Sequence, residues 1–85
     1  PDVCAEYMAF VQKFMQEKKI TSVVDAGCGD WQFSRLMDWK GIKYIGYDVV
    51  KHLISRNNEK HSNADISFVH ANFLAVDLPK ADLFI

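Results

Sequence analysis

The order of segments along this 85-residue chain predicts an α/β fold, in which a parallel sheet carries helices on both of its faces. Three observations support this prediction. The chain opens with the spacing of an amphipathic helix, short β-branched runs then alternate with helical segments, and a glycine-rich turn follows the first run. Because connections between parallel strands are right-handed, this alternation predicts half of a doubly wound sheet, with strands one to four present.

The first helix is predicted over residues 2–19. Its apolar residues recur at intervals of three and four, which places them on one face of a helix. They are Val3, Tyr7, Phe10, Val11, Phe14 and Met15. We expect this face to pack against the sheet.

Four short segments are predicted to be strands, namely residues 21–25, 42–47, 66–69 and 82–85. Helices over residues 31–38 and 52–61 are predicted to connect the first three strands, and Asp30 is placed to cap the former. The predicted centre of the sheet comprises Val23, Val24, Ile45, Tyr47 and Phe68. Because the fourth strand starts only at the end of the sequence, we expect the native protein to be longer than 85 residues.

The composition argues against several classes of function. The net charge of −1 provides no basic surface for nucleic acid or for an anionic membrane. No apolar run approaches the roughly 20 residues that cross a bilayer. The two cysteines and three histidines lack the spacing of a disulfide framework or a metal site. We therefore predict no metal, no membrane partner and no nucleic acid, and we expect a cytoplasmic location.

The most informative residues are Asp25 to Asp30 (DAGCGD), here called the glycine turn. Gly27 and Gly29 allow the chain to turn sharply and allow a ligand to lie against bare backbone. The first N–H groups of the helix predicted after the turn would suit a carboxylate or a phosphate. Asp48 ends the second strand, 19 residues after Gly29. A carboxylate about 20 residues beyond such a turn can accept hydrogen bonds from both hydroxyls of a ribose.

Two kinds of ligand suit this arrangement. A dinucleotide requires a third glycine, but that position is Gln32 and follows the bulky Trp31, which would hinder a diphosphate. S-adenosylmethionine has no phosphate, and its amino acid end carries an ammonium group. Asp25 and Asp30, beside the turn, could hold that ammonium group. The pattern therefore favours the methyl donor over a nicotinamide dinucleotide.

Three segments resemble the class I S-adenosylmethionine-dependent methyltransferases, over about residues 22–85. VVDAGCGDWQFSRL resembles the first motif of that family, YIGYDVV the acidic segment after it, and FVHANFLAVDLPKADLFI the stretch that brackets adenine. The resemblance implies a Rossmann-like domain, of which residues 1–85 are the N-terminal portion. It also implies S-adenosylmethionine as cofactor and S-adenosylhomocysteine as product. The implied cofactor-binding residues are Asp25, Gly27, Cys28, Gly29, Asp30, Asp48, Val49, Asn72 and Phe73.

The resemblance also assigns a part of the cofactor to each group of residues. The glycine turn would hold the methionine portion, Asp48 the ribose and Val49 one side of adenine. Asn72 would contact the adenine amino group, with Phe73 as a neighbour of the ring. Two residues depart from the family pattern: Asp30 replaces the third glycine of the turn, and Asn72 replaces an aspartate. An amide oxygen can still accept from the adenine amine, so this departure does not exclude binding.

Several assignments have a structural alternative. Gly27 and Gly29 could form a tight strand-to-helix turn that binds no ligand. Asp25 could accept hydrogen bonds from backbone N–H groups of its own turn, and Asp48 could be a strand-end turn residue. Cys28 is interpreted as a small apolar residue rather than a nucleophile, because no base can be placed beside it.

The resemblance implies methyl transfer to an acceptor that the sequence does not identify, with a small molecule favoured. Residues that act on the acceptor normally follow the fourth strand of this fold, so no catalytic residue is predicted within the chain. Two alternatives remain open at this point. One is a catalytically inactive cofactor-binding or regulatory module of the same fold, and the other is a nicotinamide-dependent oxidoreductase.

Overall fold

A computed structural model describes residues 2–72 and 74–85, and the side chains from residue 5 onward within those ranges. The elements are α1 (Asp2–Glu17), β1 (Ser22–Ala26), a 3₁₀ turn (Ser34–Leu36), β2 (Lys43–Asp48), α2 (Lys51–His61), β3 (Ile66–His70) and β4 (Leu83–Phe84). Each predicted strand is present, within two residues of its expected bounds. Across the described residues, neither helix is long and apolar enough to span a membrane.

The four strands form one parallel sheet in the order β3-β2-β1-β4. In the register, Asp25 lies opposite Gly46, and Asp48 lies opposite His70. The ends of β1, β2 and β3 therefore meet along one side of the sheet, here called the carboxyl edge. The prediction of a parallel, Rossmann-like sheet flanked by helices is confirmed.

The main core combines both helices with alternate residues of the strands. Met15 of α1 and Ile54 of α2 join Val23, Tyr44 and Phe68, all of them buried. Of the predicted sheet centre, Val23, Val24, Tyr47 and Phe68 are buried and Ile45 is half-buried. This agrees with the predicted centre, and because the adjacent residues Val23 and Val24 point to opposite faces, both faces of the sheet are shielded from solvent there.

The helix α1 buries less of its apolar face than its pattern predicts. Val11 and Met15 are buried, whereas Tyr7, Phe10 and Phe14 are exposed. The side chain of Val3 lies outside the described ones. The helix ends two residues earlier than predicted, because Lys19 adopts a left-handed φ of 54° and Ile20 N–H donates to Met15 O at 2.9 Å.

The helix predicted over residues 31–38 does not form, and only the 3₁₀ turn Ser34–Leu36 lies there. Trp31 has a φ of 60°, which is left-handed and prevents a right-handed helix from starting at this residue. Its indole is 4% exposed and packs on Trp39, whereas Leu36 is 70% exposed. Burial of the indole therefore outweighs the local helical pattern. Asp30 does not cap a helix, and its Oδ1 accepts from Gln32 N–H at 3.0 Å.

Candidate functional site

The candidate site lies at the carboxyl edge, where the glycine turn crosses the end of β2. Gly27 N–H and Cys28 N–H both donate to Tyr47 O, at 2.7 and 3.0 Å. Gly27 and Gly29 have φ values of 92° and 58°, which residues with a side chain rarely adopt. The two glycines are therefore required by the path of the turn itself.

Asp48 is joined to the turn through both of its carboxylate oxygens. Oδ2 accepts from Gly29 N–H at 2.9 Å, and Oδ1 accepts from Val50 N–H at 3.0 Å. Each carboxylate oxygen has about two acceptor positions, so each keeps one for a ligand. Asp48 thus has a structural role, as the alternative interpretation predicted, and it retains the capacity to bind hydroxyl groups.

Three backbone N–H groups at the centre of the turn are already in use. Those of Gly27, Cys28 and Gly29 donate to Tyr47 O or to Asp48, and a three-residue 3₁₀ turn stands where the helix was predicted. The expectation that a helix N-terminus at this place would offer N–H groups to a carboxylate or phosphate is wrong, because no helix begins there.

Asp25 has a different partner from the one predicted. Its Oδ2 accepts a 2.6 Å hydrogen bond from the Tyr44 hydroxyl, and none of the described backbone N–H groups of its turn donates to it. Burial raises the pKa of Asp25, the Tyr44 hydrogen bond opposes that shift, and the charge of Asp48 adds to it. Oδ1 of Asp25 has no hydrogen-bond partner among the described residues and is available to a ligand.

Cys28 lies between the two carboxylates in a half-buried position. Burial, followed by the charges of Asp25 and Asp48, raises the pKa of its thiol to about 12. The thiol is therefore protonated at neutral pH and is a poor nucleophile. This agrees with the interpretation of Cys28 as a small apolar residue.

Val49 and Asn72, two of the residues assigned to adenine, flank the end of β3. Val49 follows Asp48 and is 60% exposed, as an apolar surface for a ring would be. Ala71 N–H donates to Asp48 O at 3.0 Å, which holds Ala71 beside Asp48. Asn72 is exposed, and its Oδ1 accepts from Leu74 N–H at 3.0 Å. Phe73 lies outside the described residues.

Besides Tyr44, two residues of the site were not predicted. A Cβ atom on Gly46 would lie 2.8 Å from both Cys28 Cβ and the Tyr44 hydroxyl, so the absence of a side chain there leaves room for both. The sequence did carry a signal for Gly46, because a glycine inside a strand pattern, here IKYIGY, indicates a close approach of other atoms. Asn57 of α2 is 2% exposed and donates from Nδ2 to Gly29 O at 2.7 Å. A polar residue on a helix gives no comparable signal.

Trp31 was expected to hinder a bound diphosphate, but the structure places its side chain elsewhere. Its indole packs inward against Tyr44, Phe68 and His61, so it does not crowd the ligand side of the turn. The argument against a dinucleotide therefore rests on Gln32 alone. Within residues 2–72 and 74–85, no three His, Cys, Asp or Glu side chains are grouped so that they could hold a metal ion.

No family model and no curated protein matches the chain. Among solved structures, it matches the plantazolicin methyltransferase BpumL, crystallised with a monoazolic desmethylPZN analogue and S-adenosylhomocysteine (SAH). The identity is 17% and the TM-score 0.70, over 95% of this chain and 34% of BpumL. It also matches the plantazolicin methyltransferase BamL, bound to a triazolic desmethylPZN analogue and SAH. Here the identity is 20% and the TM-score 0.67, over 95% of this chain and 32% of BamL.

The chain thus spans about one third of the length of these two methyltransferases. At such identities the likeness shows the fold. The chain has the fold of part of a class I methyltransferase, as its motifs predicted.

Proposed function

We propose that the chain is the S-adenosylmethionine-binding portion of a methyltransferase. The proposal rests mainly on one observation. At the carboxyl edge, Gly29 N–H donates a 2.9 Å hydrogen bond to Asp48 and so joins the glycine turn to the end of β2. This bond sets a carboxylate with spare acceptor positions beside a turn that has little side-chain bulk. The matched methyltransferases, which were crystallised with SAH, share the fold that supports this edge.

Each part of the cofactor has a residue suited to it. Asp48 would accept from the ribose hydroxyls, and Val49 would lie against adenine. Asn72 would accept from the adenine amine through the second acceptor position of its Oδ1. The ammonium group would be held by Asp25 and Asp30, because a carboxylate accepts its hydrogen bonds and carries the opposite charge.

The bound cofactor supplies a methyl group already activated on a sulfonium centre. The residues of this chain would bind and orient it, so that an acceptor can approach the methyl carbon opposite the sulfur. No residue of the chain is assigned to proton transfer. We propose a small-molecule acceptor, because a net charge of −1 offers little attraction to a polyanion such as RNA.

Asp48→Ala in the full-length protein tests the proposal. The protein should bind SAH and not NAD, and Asp48→Ala should weaken SAH binding by about 10- to 150-fold. This range follows from about 1.5–3 kcal/mol for a hydrogen bond to a charged group. Asp48→Asn should have a smaller effect, since an amide keeps one acceptor oxygen. Isothermal titration calorimetry gives each affinity.

A ligand-side control separates direct contact from distortion of the turn, because Asp48 also holds Gly29. The parent protein should bind SAH more tightly than the 2′-deoxyribose analogue of SAH. Asp48→Ala should bind the two ligands with similar affinities, since its hydroxyl acceptor is gone. If Asp48→Ala discriminated between them as the parent does, Asp48 would be structural only. If the parent protein bound no SAH, the proposed function itself would be overturned.

A further inference from the structure

We propose that Tyr44 is a positioning residue for the cofactor site. Its hydroxyl holds the Asp25 carboxylate with Oδ2 turned toward the core, so that Oδ1 is presented to the ammonium group of S-adenosylmethionine. This inference rests on the proposed function. It adds to that function a residue of β2 that lies beneath the site.

Tyr44 is rigidly held. It is fully buried, and its ring packs against Trp31, Trp39 and Phe68 at centroid distances of 5.3, 4.8 and 5.7 Å. Its hydroxyl donates to Asp25 Oδ2 over 2.6 Å. Because a ring packed on three aromatic neighbours has little freedom to rotate, the position of its hydroxyl fixes the rotamer of Asp25.

The register of the sheet explains how the two side chains meet. Asp25 of β1 lies opposite Gly46 of β2, and Tyr44 precedes Gly46 by two residues and therefore shares its face. A Cβ atom on Gly46 would lie 2.8 Å from the Tyr44 hydroxyl. The missing side chain thus leaves the space through which Tyr44 reaches Asp25.

The charges around Asp25 favour a cationic ligand. The titratable groups that face Asp25 are the Tyr44 hydroxyl, the Cys28 thiol and the Asp48 carboxylate. Burial and then the charge of Asp25 raise the pKa of Tyr44, so this hydroxyl stays protonated and donates. The ion pairs of the described residues are Lys13–Glu17 and Lys43–Asp65, so no protein cation among them neutralises Asp25 or Asp48. An ammonium group would supply the missing positive charge.

Tyr44→Phe, made in the full-length protein, tests the role of the hydroxyl with two ligands. SAH carries the ammonium group, whereas 5′-methylthioadenosine has the same adenosine and sulfur without the amino acid portion. The variant should bind SAH about 10-fold more weakly and 5′-methylthioadenosine with unchanged affinity. The pKa of Asp25 should rise when its hydrogen bond is lost, so SAH binding should decline at a higher pH than in the parent as the solution is acidified.

Tyr7→Phe is the control, since it removes the hydroxyl of an exposed tyrosine of α1 that lies outside the site. It should leave the ratio of the two affinities unchanged. Asp25→Asn is a second variant, in case Tyr44→Phe fails to fold. It should weaken SAH alone, because the amide can still accept from Tyr44 but carries no charge.

Equal weakening of both ligands by Tyr44→Phe would show that Tyr44 only supports the fold, and would overturn the inference. An unchanged SAH affinity at all pH values would overturn it as well. These results differ from failure of the proposed function, in which the parent protein itself would bind no SAH.

Discussion

Gly46 is the residue against which both the glycine turn and the Tyr44 hydroxyl pack. An added Cβ atom would approach Cys28 Cβ and the Tyr44 hydroxyl to 2.8 Å, and Cys28 Sγ to 3.0 Å. The first contact involves the turn, and the second a ring enclosed by other aromatic rings, so neither neighbour can move freely. A single hydrogen atom in place of a side chain thus allows the turn to lie directly on β2.

Gly46→Ala should lower the free energy of unfolding by about 1–3 kcal/mol, the usual cost of adding a methyl group to a packed interior. Urea denaturation measures this change. In a Cys28→Gly background, which removes two of the three close contacts, the same substitution should cost less. An equal cost in both backgrounds would contradict the assignment of the clash to Cys28.

The short strand β4 is held at its beginning by side chains. Asp82 Oδ2 accepts from Thr21 N–H and from the Thr21 hydroxyl, at 2.9 Å each. Asp82 N–H donates to the Ser22 hydroxyl at 2.8 Å. Leu83 and Phe84 pair with β1, and Ile85 continues the pairing, since its N–H donates to Val24 O at 2.8 Å and its carbonyl accepts from Ala26 N–H at 2.7 Å. The contacts of Asp82 therefore anchor the beginning of a short strand whose other end is held by backbone hydrogen bonds.

Asp82→Asn should reduce stability at neutral pH and remove a pH dependence. The Thr21 backbone N–H, and then its hydroxyl, lower the pKa of Asp82 in the folded protein. A lowered folded pKa adds stability above the unfolded value of about 3.9, and this stability is lost as the pH falls through the folded pKa. Thermal unfolding should show a slightly lower melting temperature for the variant than for the parent at pH 7, and this difference should disappear below about pH 4.

The matched control for this prediction is Asp77→Asn. Asp77 is exposed, and it makes no hydrogen bond among the described residues. This substitution should leave the pH dependence of the melting temperature as in the parent. If the difference in melting temperature between the parent and Asp82→Asn stayed constant down to pH 2, the ionised carboxylate of Asp82 would contribute nothing to stability.

Trp31 links the layers of the whole molecule. Its ring lies 5.7 Å from Trp39, 5.3 Å from His61 of α2 and 5.2 Å from Phe68 of β3. The same buried cluster includes Val11 and Met15 of α1. One side chain that follows the glycine turn therefore connects the segment after β1 to the sheet and to α2.

Trp31→Ala should destabilise the protein by about 3–5 kcal/mol, as expected for truncation of a large buried aromatic residue. Leu36→Ala should change stability by no more than about 0.5 kcal/mol, because Leu36 is 70% exposed. Guanidinium denaturation followed by circular dichroism compares the two variants. A large loss for Leu36→Ala with a small one for Trp31→Ala would instead support the helix predicted over residues 31–38.

Local sequence was sufficient for the strands, for α2 and for the position of the glycine turn. β-Branched runs favour strands, and glycines mark the places where the backbone must adopt a positive φ. The spacing between Gly29 and Asp48 also predicted that these residues share an edge, because parallel strands bring their carboxyl ends together.

Only the tertiary structure determined the conformation of residues 31–38 and the hydrogen bonds that hold Asp25 and the glycine turn in place. The helical pattern there was lost because burial of the Trp31 indole stabilises a left-handed backbone that begins no helix. The bonds Tyr44–Asp25 and Asn57–Gly29 join residues 19 and 28 positions apart. Such pairs depend on the register of β1 against β2 and on the seating of α2, which result from packing of the whole core and leave no local pattern in the sequence.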